Sequence, residues 1–530
     1  MVDFNPISQV NAQYTTGPAR PAGEKKAPSE PSAAAVNDGF SKGSSSNEVS
    51  KAILSQLCGT DDTREADASK ILSKPTRILS DNYGRVTHLA FQISDYVGGS
   101  MRNEVINAYK TVFQNMEPDT KFTIIVESDR DKSDVEKMIK SNNIPNQERF
   151  QFIKPGNLDL TVWARDQMIG MYFPDDPSKT ALLNQRTLHS WHNDDEQVPP
   201  YVAAQNPSIV LDPEKRIRTD GGEVVSNNHE TFVGFFSIAA TAEKLQQMGV
   251  EDPSFRSAVI SHYNTKSGQH VVESKDQNPF PFMLVPKEVP EDMHERDFKI
   301  APNPEYKAQA LRSNEMAEGD MWMKAAKDLF EKQFGQKVMV MGADDPSTPQ
   351  VEGPANDHLD MAITPFDEKT VAVGDPSMVK RALEKMTPKR RKEVEKQLSE
   401  LLERPVSLRG LTENRERSDY PNQQQDFDKY ASNMEKEGYR VLRVPYSEPT
   451  WGTPNITYSN NLIERFTKED GTHVKRVFLP VYGIKELDKI ALDTYKGEGF
   501  EVFPIPLASL ASRKGALRCI SQWLARKGTP

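Results

Sequence analysis

Cysteine is scarce in this chain, which contains only Cys58 and Cys519 among its 530 residues. A disulfide framework therefore cannot be what organises the fold. Long apolar runs are missing as well, since no segment approaches the roughly 18 to 20 consecutive apolar residues of a membrane-spanning helix. The N-terminus also lacks a basic region followed by an apolar one, so no cleaved export signal is predicted. We expect a soluble or cytoplasmic protein without a membrane partner.

Positive charge is not in excess, because the formal net charge is −10. Nucleic acid is disfavoured as a partner, since phosphate binding needs clustered lysine and arginine. The basic run TPKRRKEVEKQ at 387–397 interleaves these residues with glutamate at helical spacing. That pattern predicts the solvated face of a helix. An acidic protein of this kind suits a cationic substrate.

From residue 85 onward, several common catalytic and nucleotide-binding motifs are absent: GxGxxG, HExxH, GxSxG, and GxxxxGK followed by Ser or Thr. The one GxSxG match, GFSKG at 39–43, lies in a polar stretch without the apolar strand that this motif follows. The usual sequence signals for nucleotide binding and serine hydrolysis are therefore missing. The segment HSWHNDDE at 189–196 offers two imidazoles and several carboxylates. It has no clear strand or helix frame and no cysteine partner, so a surface loop is favoured over a metal site. No metal ligand is predicted.

The chain divides by composition into a polar leader and a catalytic domain. Residues 1–75 are rich in Pro, Ser, Ala, Gly, Asn and Lys, which predicts disorder. Such a leader is compatible with a bacterial protein exported into a host cell, and many other proteins have one too. From about residue 85, short β-rich and helical runs alternate, which predicts an α/β catalytic domain over 85–527. Residues 250–313 show little periodicity and are interpreted as an elaborated loop or insertion.

Four apolar runs contain polar residues where a packed strand would prefer hydrocarbon, and those residues are candidates for a site. They are Arg165 and Asp166 in TVWARDQMIGMYF, Asp220 and Glu223 in RTDGGEVV, His358 and Asp360 in DHLDMAIT, and Cys519 at the end of GALRC. If DHLDMAIT is a strand, His358 and Asp360 project to the same face. Each segment also has an ordinary structural explanation: an ion pair, a glycine turn, a polar strand edge or a buried core cysteine.

In this order, the four segments resemble the guanidino-group-modifying enzymes, or pentein superfamily, of agmatine, arginine and peptidylarginine deiminases, dimethylarginine hydrolases and amidinotransferases. ARDQMIGMY is similar to the strand with a substrate-binding aspartate, and TDGGEVV to the acidic-Gly-Gly element. DHLDM resembles the His-x-Asp element, and GALRCIS resembles the segment with the nucleophilic cysteine. The resemblance covers residues 85–527. The sequence departs from the pattern in its short KGAL approach to the cysteine, its aspartate in place of a frequent glutamate, and its long insertion.

The resemblance implies both a fold and a site. The fold would be a five-bladed α/β propeller of ββαβ-like units. The implied site comprises Cys519 as nucleophile, His358 as acid and base, Asp220 to orient the imidazole, and Asp166, Asp360, Arg165 and Glu223 as substrate-binding residues. No metal or organic cofactor is needed for this chemistry.

The implied reaction is deimination, in which a guanidinium group becomes a ureido group and ammonia through a thiouronium on Cys519. An amidinotransferase would use the same cysteine adduct and deliver the amidine to an amine. A catalytically idle effector or binding module on the same scaffold is the other alternative. The substrate is left open between a small molecule, such as arginine or agmatine, and a protein arginine. The sequence predicts no oligomeric state.

Overall fold

The computed structural model describes residues 75–185, 187–188, 194–212, 216–286, 298–342, 358–412, 423–448 and 453–528. The predicted polar leader lies outside the described residues except for its last position, and so does Cys58. The description therefore concerns the predicted catalytic domain.

Helices occur along the whole described chain. The α-helices are α1 (Gly99–Asn115), α2 (Asp129–Ser141), α3 (Val198–Gln205), α4 (Phe235–Glu251), α5 (Pro253–Ser267), α6 (Glu318–Phe334), α7 (Leu359–Ala362), α8 (Pro376–Glu384), α9 (Pro388–Leu402), α10 (Gln423–Lys436), α11 (Lys485–Gly497) and α12 (Ala508–Ala511). Within these residues, none of the helices has the length and apolar character needed to cross a membrane. The predicted solvated helix at 387–397 is confirmed as part of α9, where Val394 and Leu398 supply the buried face.

Strands alternate with these helices. They are β1 (Arg77–Ile78), β2 (Arg85–Ile93), β3 (Lys121–Val126), β4 (Phe150–Ile153), β5 (Ile169–Phe173), β6 (Asp176–Leu183), β7 (Ile209–Asp212), β8 (Val224–Ser226), β9 (Glu230–Gly234), β10 (His270–Val272), β11 (Phe282–Pro286), β12 (Phe298–Pro302), β13 (Glu315–Ala317), β14 (Lys337–Met341), β15 (Ile363–Pro365), β16 (Thr370–Asp375), β17 (Arg440–Ser447), β18 (Ile456–Thr457), β19 (Leu462–Thr467), β20 (His473–Val481), β21 (Glu501–Pro506) and β22 (Ser521–Lys527). The fold is mixed α/β, as predicted.

Five of the sheets repeat one strand order, in which an antiparallel pair is followed by a parallel neighbour. The antiparallel pairs are β22 with β2, β5 with β6, β8 with β9, β15 with β16, and β19 with β20. The second strand of each pair connects through at least one helix to its parallel neighbour, which is β3, β7, β14, β17 or β21 respectively. Parallel strands need such a crossover, usually a helix. Because β22 pairs with β2, the two ends of the described chain meet in one sheet.

The crossover from β9 to β14 is long and contains the region predicted as an insertion. It holds α4, α5, α6 and two small sheets, formed by β10 with β13 and by β11 with β12. Asp252 begins α5 by accepting hydrogen bonds from the backbone of Ser254 and Phe255, and Pro253 fills the first turn. The described part of 250–313 is therefore more ordered than an elaborated loop, while 287–297 lies outside the described residues.

Two segments of the predicted site have a different local structure from the expected strands. In TVWARDQMIGMYF only the last five residues form a strand, β5, and Asp166 lies in a preceding turn where its backbone N–H donates to Trp163 O. In DHLDMAIT, His358 is the extended N-cap of the short helix α7, and Asp360 lies within that helix. The prediction that His358 and Asp360 project from the same face of a strand was therefore wrong. The pattern of polar and apolar residues in such a short run does not distinguish a strand from a single helical turn.

The carboxylate of Asp81 joins several parts of this fold in one buried cluster of charges. Its Oδ1 accepts hydrogen bonds from the Arg518 guanidinium at 2.9 and 3.1 Å and from Trp523 Nε1 at 2.8 Å. Its Oδ2 accepts from Ser226 N at 2.7 Å, and Arg165 Nη2 lies 3.4 Å from Oδ1. Burial alone would raise the pKa of Asp81, but the two guanidinium groups outweigh burial and lower it below 3.8. Asp81 is therefore a charged anchor of the fold.

Replacing Asp81 by Ala is expected to lower the free energy of unfolding by about 3–5 kcal/mol, because two buried guanidinium groups would lose their shared counter-charge. Denaturant unfolding followed by circular dichroism measures the change. Asp119→Ala is the matched control, since Asp119 pairs with Arg85 at the surface and its side chain is 69% exposed, against 5% for Asp81. That control should cost less than about 1 kcal/mol. Equal losses in the two variants would show that the Asp81 cluster is not an anchor.

Candidate active site

Three of the four segments that contain the predicted site residues meet through hydrogen bonds made by the backbone or to it. Arg165 N donates to Cys519 O at 3.0 Å, which joins the turn before β5 to the segment before β22. Gly221 N donates to Asp166 O at 3.2 Å, and Arg165 Nε donates to Gly221 O at 3.0 Å. Because these bonds are made by the backbone or to it, they fix the segments largely independently of the catalytic side chains.

The glycine pair in TDGGEVV is required by close packing. A Cβ atom at Gly221 would lie 2.0 Å from Arg165 O, and one at Gly222 would lie 2.4 Å from His358 Nδ1. Any larger residue would displace a backbone carbonyl or the imidazole. Gly221 therefore lets the Arg165 backbone pack against this segment, and Gly222 lets the His358 imidazole do so.

The sulfur of Cys519, a ring nitrogen of His358 and a carboxylate oxygen of Asp360 all lie within 4.8 Å of one another. His358 Nε2 is 3.4 Å from Asp220 Oδ2, and His358 Nδ1 is 3.9 Å from Asp166 Oδ1. The cysteine and the three aspartates are buried, whereas the imidazole keeps 15% of its surface exposed. The predicted nucleophile, acid and base, and three aspartates are thus brought together around one ring.

The environment of His358 favours the imidazolium. Burial alone would lower its pKa, but the charge of Asp166 and the contacts with Asp220 and Cys519 outweigh burial and raise the pKa well above 6.5. The imidazole therefore holds a proton that it can donate.

The environment of Cys519, in contrast, disfavours the charged form of the side chain, the thiolate. Burial raises the pKa of the thiol above 9.0, and the negative charges of Asp360 and Asp166 add to this effect, while contact with His358 lowers the pKa. The resting site accordingly contains a thiol beside an imidazolium. An added positive charge at this place would favour the thiolate.

Asp360 is held by the residue that precedes the cysteine. Arg518 Nη1 donates to Asp360 Oδ2 at 2.6 Å, while Arg518 Nη2 donates to Val224 O at 2.7 Å. Asp360 Oδ1 is buried and makes no hydrogen bond within the described part of the chain. One oxygen of this carboxylate is thus anchored, and the other remains as an acceptor.

Arg165 and Glu223, the other two predicted substrate-binding residues, make contacts within the protein. The Arg165 guanidinium donates to Gly221 O, to the Gln522 side chain and to Val224 O. Glu223 is fully buried, and a Cβ at Gly234 would overlap its carboxylate. These contacts make both residues part of the scaffold, and their role in substrate binding stays a prediction.

The sequence-based prediction missed three residues of this site: Asp81, Arg518 and Asn460. Asn460 lies in the turn between β18 and β19 and donates from Nδ2 to Cys519 Sγ at 3.2 Å. Arg518 was visible as a charge directly before the cysteine, and Asn460 as an amide beside an apolar run. Asp81 had no comparable signal, because it lies in an ordinary-looking turn after β1.

Among the described residues, His358, Asp360 and Cys519 are also a group whose atoms are close enough to hold a metal ion. The second candidate segment, HSWHNDDE, is only partly described, because 189–193 lie outside the described residues. Asp195 in this segment is buried and accepts hydrogen bonds from Gln92 Nε2 and from Thr161 N at 2.7 and 3.1 Å. The prediction of a surface loop was therefore wrong at this position, because the buried Asp195 carboxylate attaches the segment to the core through these hydrogen bonds.

The raised pKa of His358 gives a pH dependence of stability. Above pH 6.5 the folded state keeps a proton that the unfolded state releases, so stability falls as pH rises. Between about pH 6.5 and pH 8.5, the wild type should lose more unfolding free energy than His358→Gln. Urea unfolding of both proteins across this range measures the difference. Parallel curves would contradict the proposed charge state. Cysteine does not interfere, because its ordinary pKa of 9.0 lies above the window.

No protein-family model matches the sequence. No curated protein matches it. Among solved structures, the chain is similar to agmatine deiminase from C. jejuni, with 13% identity, a TM-score of 0.46, and coverage of 86% of this chain and 96% of that one. Agmatine deiminase from Enterococcus faecalis gives 10% identity, a TM-score of 0.45, and coverage of 86% and 96%. Inosamine-phosphate amidinotransferase from Streptomyces griseus gives 10% identity, a TM-score of 0.32, and coverage of 85% and 97%.

Proposed function

We propose that the protein is a cysteine-dependent hydrolase that converts a guanidinium group to a ureido group and ammonium. The observation that carries the proposal is the meeting of a sulfur, an imidazole and a carboxylate within 4.8 Å, with two further aspartates on the imidazole. The guanidinium belongs to a small molecule such as arginine or agmatine, or to an arginine of a protein. The reaction needs no metal or organic cofactor.

Binding of the substrate rests on the buried carboxylates. A guanidinium is a planar cation whose N–H groups match carboxylate oxygens. Asp360 offers Oδ1 to it, since Oδ2 is occupied by Arg518. Asp166, whose Oδ1 lies 3.9 Å from His358 Nδ1, is the second acceptor. Holding the substrate in one orientation supplies a large part of the rate enhancement before any bond changes.

In the first half of the reaction, the bound cation and the imidazolium favour ionisation of Cys519, whose proton is released to solvent and is taken up again when the product leaves. The thiolate forms a C–S bond to the guanidinium carbon and gives a neutral tetrahedral adduct. The His358 imidazolium then gives its proton to one amino nitrogen, whose C–N bond breaks. Ammonia leaves, and a cationic thiouronium remains on the sulfur.

In the second half, neutral His358 takes a proton from water as the water oxygen attacks the thiouronium carbon. The C–S bond breaks and its electron pair returns to the sulfur as thiolate. The hydroxyl proton of the product is lost and ammonia becomes ammonium, so the balance is guanidinium plus water to ureido group plus ammonium. Asp220 stabilises the imidazolium at the start and end of each cycle.

The repeated strand order leads us to extend the proposal to the fold. Five ββαβ units, one for each repeated sheet, would be the blades of a propeller over 85–527, with the site at the centre. The proposed catalytic domain then begins after the polar leader of 1–75. The long β9–β14 crossover, which includes 250–313, would shape access to the site.

Cys519→Ala is expected to abolish ammonium release from every guanidino compound that the wild type hydrolyses, while unfolding stability changes little, because one buried thiol adds little packing beyond alanine. An ammonia-release assay over free arginine, agmatine and arginine peptides, with circular dichroism for folding, makes the test. Cys58→Ala is the matched control and should retain turnover.

Turnover by Cys519→Ala at the wild-type rate would exclude the proposed mechanism. Amidino transfer to an added amine, without ammonium, would identify an amidinotransferase instead. No reaction of the wild type with any member of the panel would favour the idle binding module.

Gly222→Ala is expected to reduce the turnover of the hydrolysed substrate by about a hundredfold, because a Cβ 2.4 Å from His358 Nδ1 must push the imidazole away from Asp220. Gly497→Ala is the control, since that glycine ends α11 with no atom within 4 Å of the added carbon. Steady-state kinetics of both variants measures the effect. Unchanged turnover in Gly222→Ala would show that the imidazole position is not critical.

A further inference from the structure

The amide of Asn460 points to an additional positioning role at the sulfur of Cys519. We propose that Asn460 stabilises the thiolate by donating a hydrogen bond from Nδ2 to Sγ, and so keeps the nucleophile reactive in its buried, negatively charged surroundings. The inference rests on the proposed function of Cys519 as nucleophile. It adds a residue that the four site segments do not contain.

The orientation of the amide follows from its other contacts. The backbone N–H groups of Arg518 and Cys519 both lie within hydrogen-bonding distance of one side-chain atom of Asn460, at 2.8 and 3.3 Å. An N–H group can only donate, so this atom is the oxygen. The amide nitrogen is then the atom that lies 3.2 Å from Sγ. One side chain therefore fixes the backbone around the nucleophile and supplies a donor to its sulfur.

The sulfur needs a donor because its other neighbours oppose ionisation. Burial and the charges of Asp360 and Asp166 raise the pKa of the thiol, and contact with His358 lowers it only in part. A neutral N–H donor favours the charged form of its acceptor without adding a charge that would repel a cationic substrate. An arginine or lysine at this position would stabilise the thiolate but compete with the guanidinium.

The turn that presents Asn460 is held by a buried network of tyrosines. Its neighbour Asn461 donates to Tyr495 Oη and to the Tyr458 carbonyl, and Tyr458 Oη donates to Asp488. These contacts order the turn but none of them involves the sulfur. Asn461 thus offers a matched control, because it is the same residue type in the same turn.

The test is the pH dependence of Cys519 alkylation by iodoacetamide, followed by mass spectrometry of the peptide that contains Cys519. Asn460→Asp keeps an oxygen for the N–H groups of Arg518 and Cys519 but replaces the donor with an acceptor. We expect Cys519 of Asn460→Asp to be alkylated about tenfold more slowly than Cys519 of the wild type at neutral pH. At high pH, where Cys519 is ionised in both proteins, the two rates should be equal. Asn460→Ala should show a decrease of similar size.

Asn461→Ala should lower the unfolding stability but leave the alkylation profile unchanged. A wild-type profile for Asn460→Asp would overturn the inference, and so would an equal displacement of the profile in Asn461→Ala. The readout does not require turnover of any substrate. Failure of the ammonium assay would therefore count against the proposed function alone, and an unchanged alkylation profile against the role of Asn460 alone.

Discussion

The placement of the nucleophile depends on one buried chain of ion pairs, in which the guanidinium of Arg518 joins the carboxylates of Asp81 and Asp360. Arg518 precedes Cys519, and Asp360 follows His358 by two positions. One guanidinium therefore connects the two halves of the reacting pair, although Arg518 and Asp360 are 158 positions apart in sequence. Burying such charges costs desolvation energy, so their value here is in fixing one arrangement rather than in adding stability.

The same chain sets the electrostatic character of the site. Arg518 neutralises part of Asp360 but leaves one oxygen as an acceptor, while Asp166 and Asp220 surround the imidazole. Negative charge holds the proton on His358, whereas burial, together with the negative charge of Asp360 and Asp166, holds the proton on Cys519. Such a site is suited to a cation, because added positive charge favours the thiolate. A guanidinium substrate would supply that charge at the moment when it arrives.

The sequence was sufficient to predict the α/β class and the set of residues that meet at His358, since charged residues inside apolar runs are costly unless they serve a purpose. It was not sufficient for their local geometry. DHLDMAIT was expected as a strand, but one helical turn lets His358 and Asp360 converge equally well. The sequence-based prediction missed Asn460 and Arg518 because their roles depend on contacts with residues far away in the sequence, which a local pattern does not reveal. The resemblance implied ββαβ-like units, but which strands pair within each sheet could be read only from the structure.

The central claim is that the sulfur of Cys519 faces a place built for a planar cation. Chloroacetamidine, a cationic alkylating agent, and chloroacetamide, its neutral analogue, test this claim without knowledge of the substrate. Relative to Cys58 in the same chain, Cys519 should react faster with the amidine than with the amide. Asp360→Asn should remove most of that preference, because it removes the carboxylate charge. Equal rates for the two reagents at Cys519, or a preference that survives in Asp360→Asn, would contradict the account.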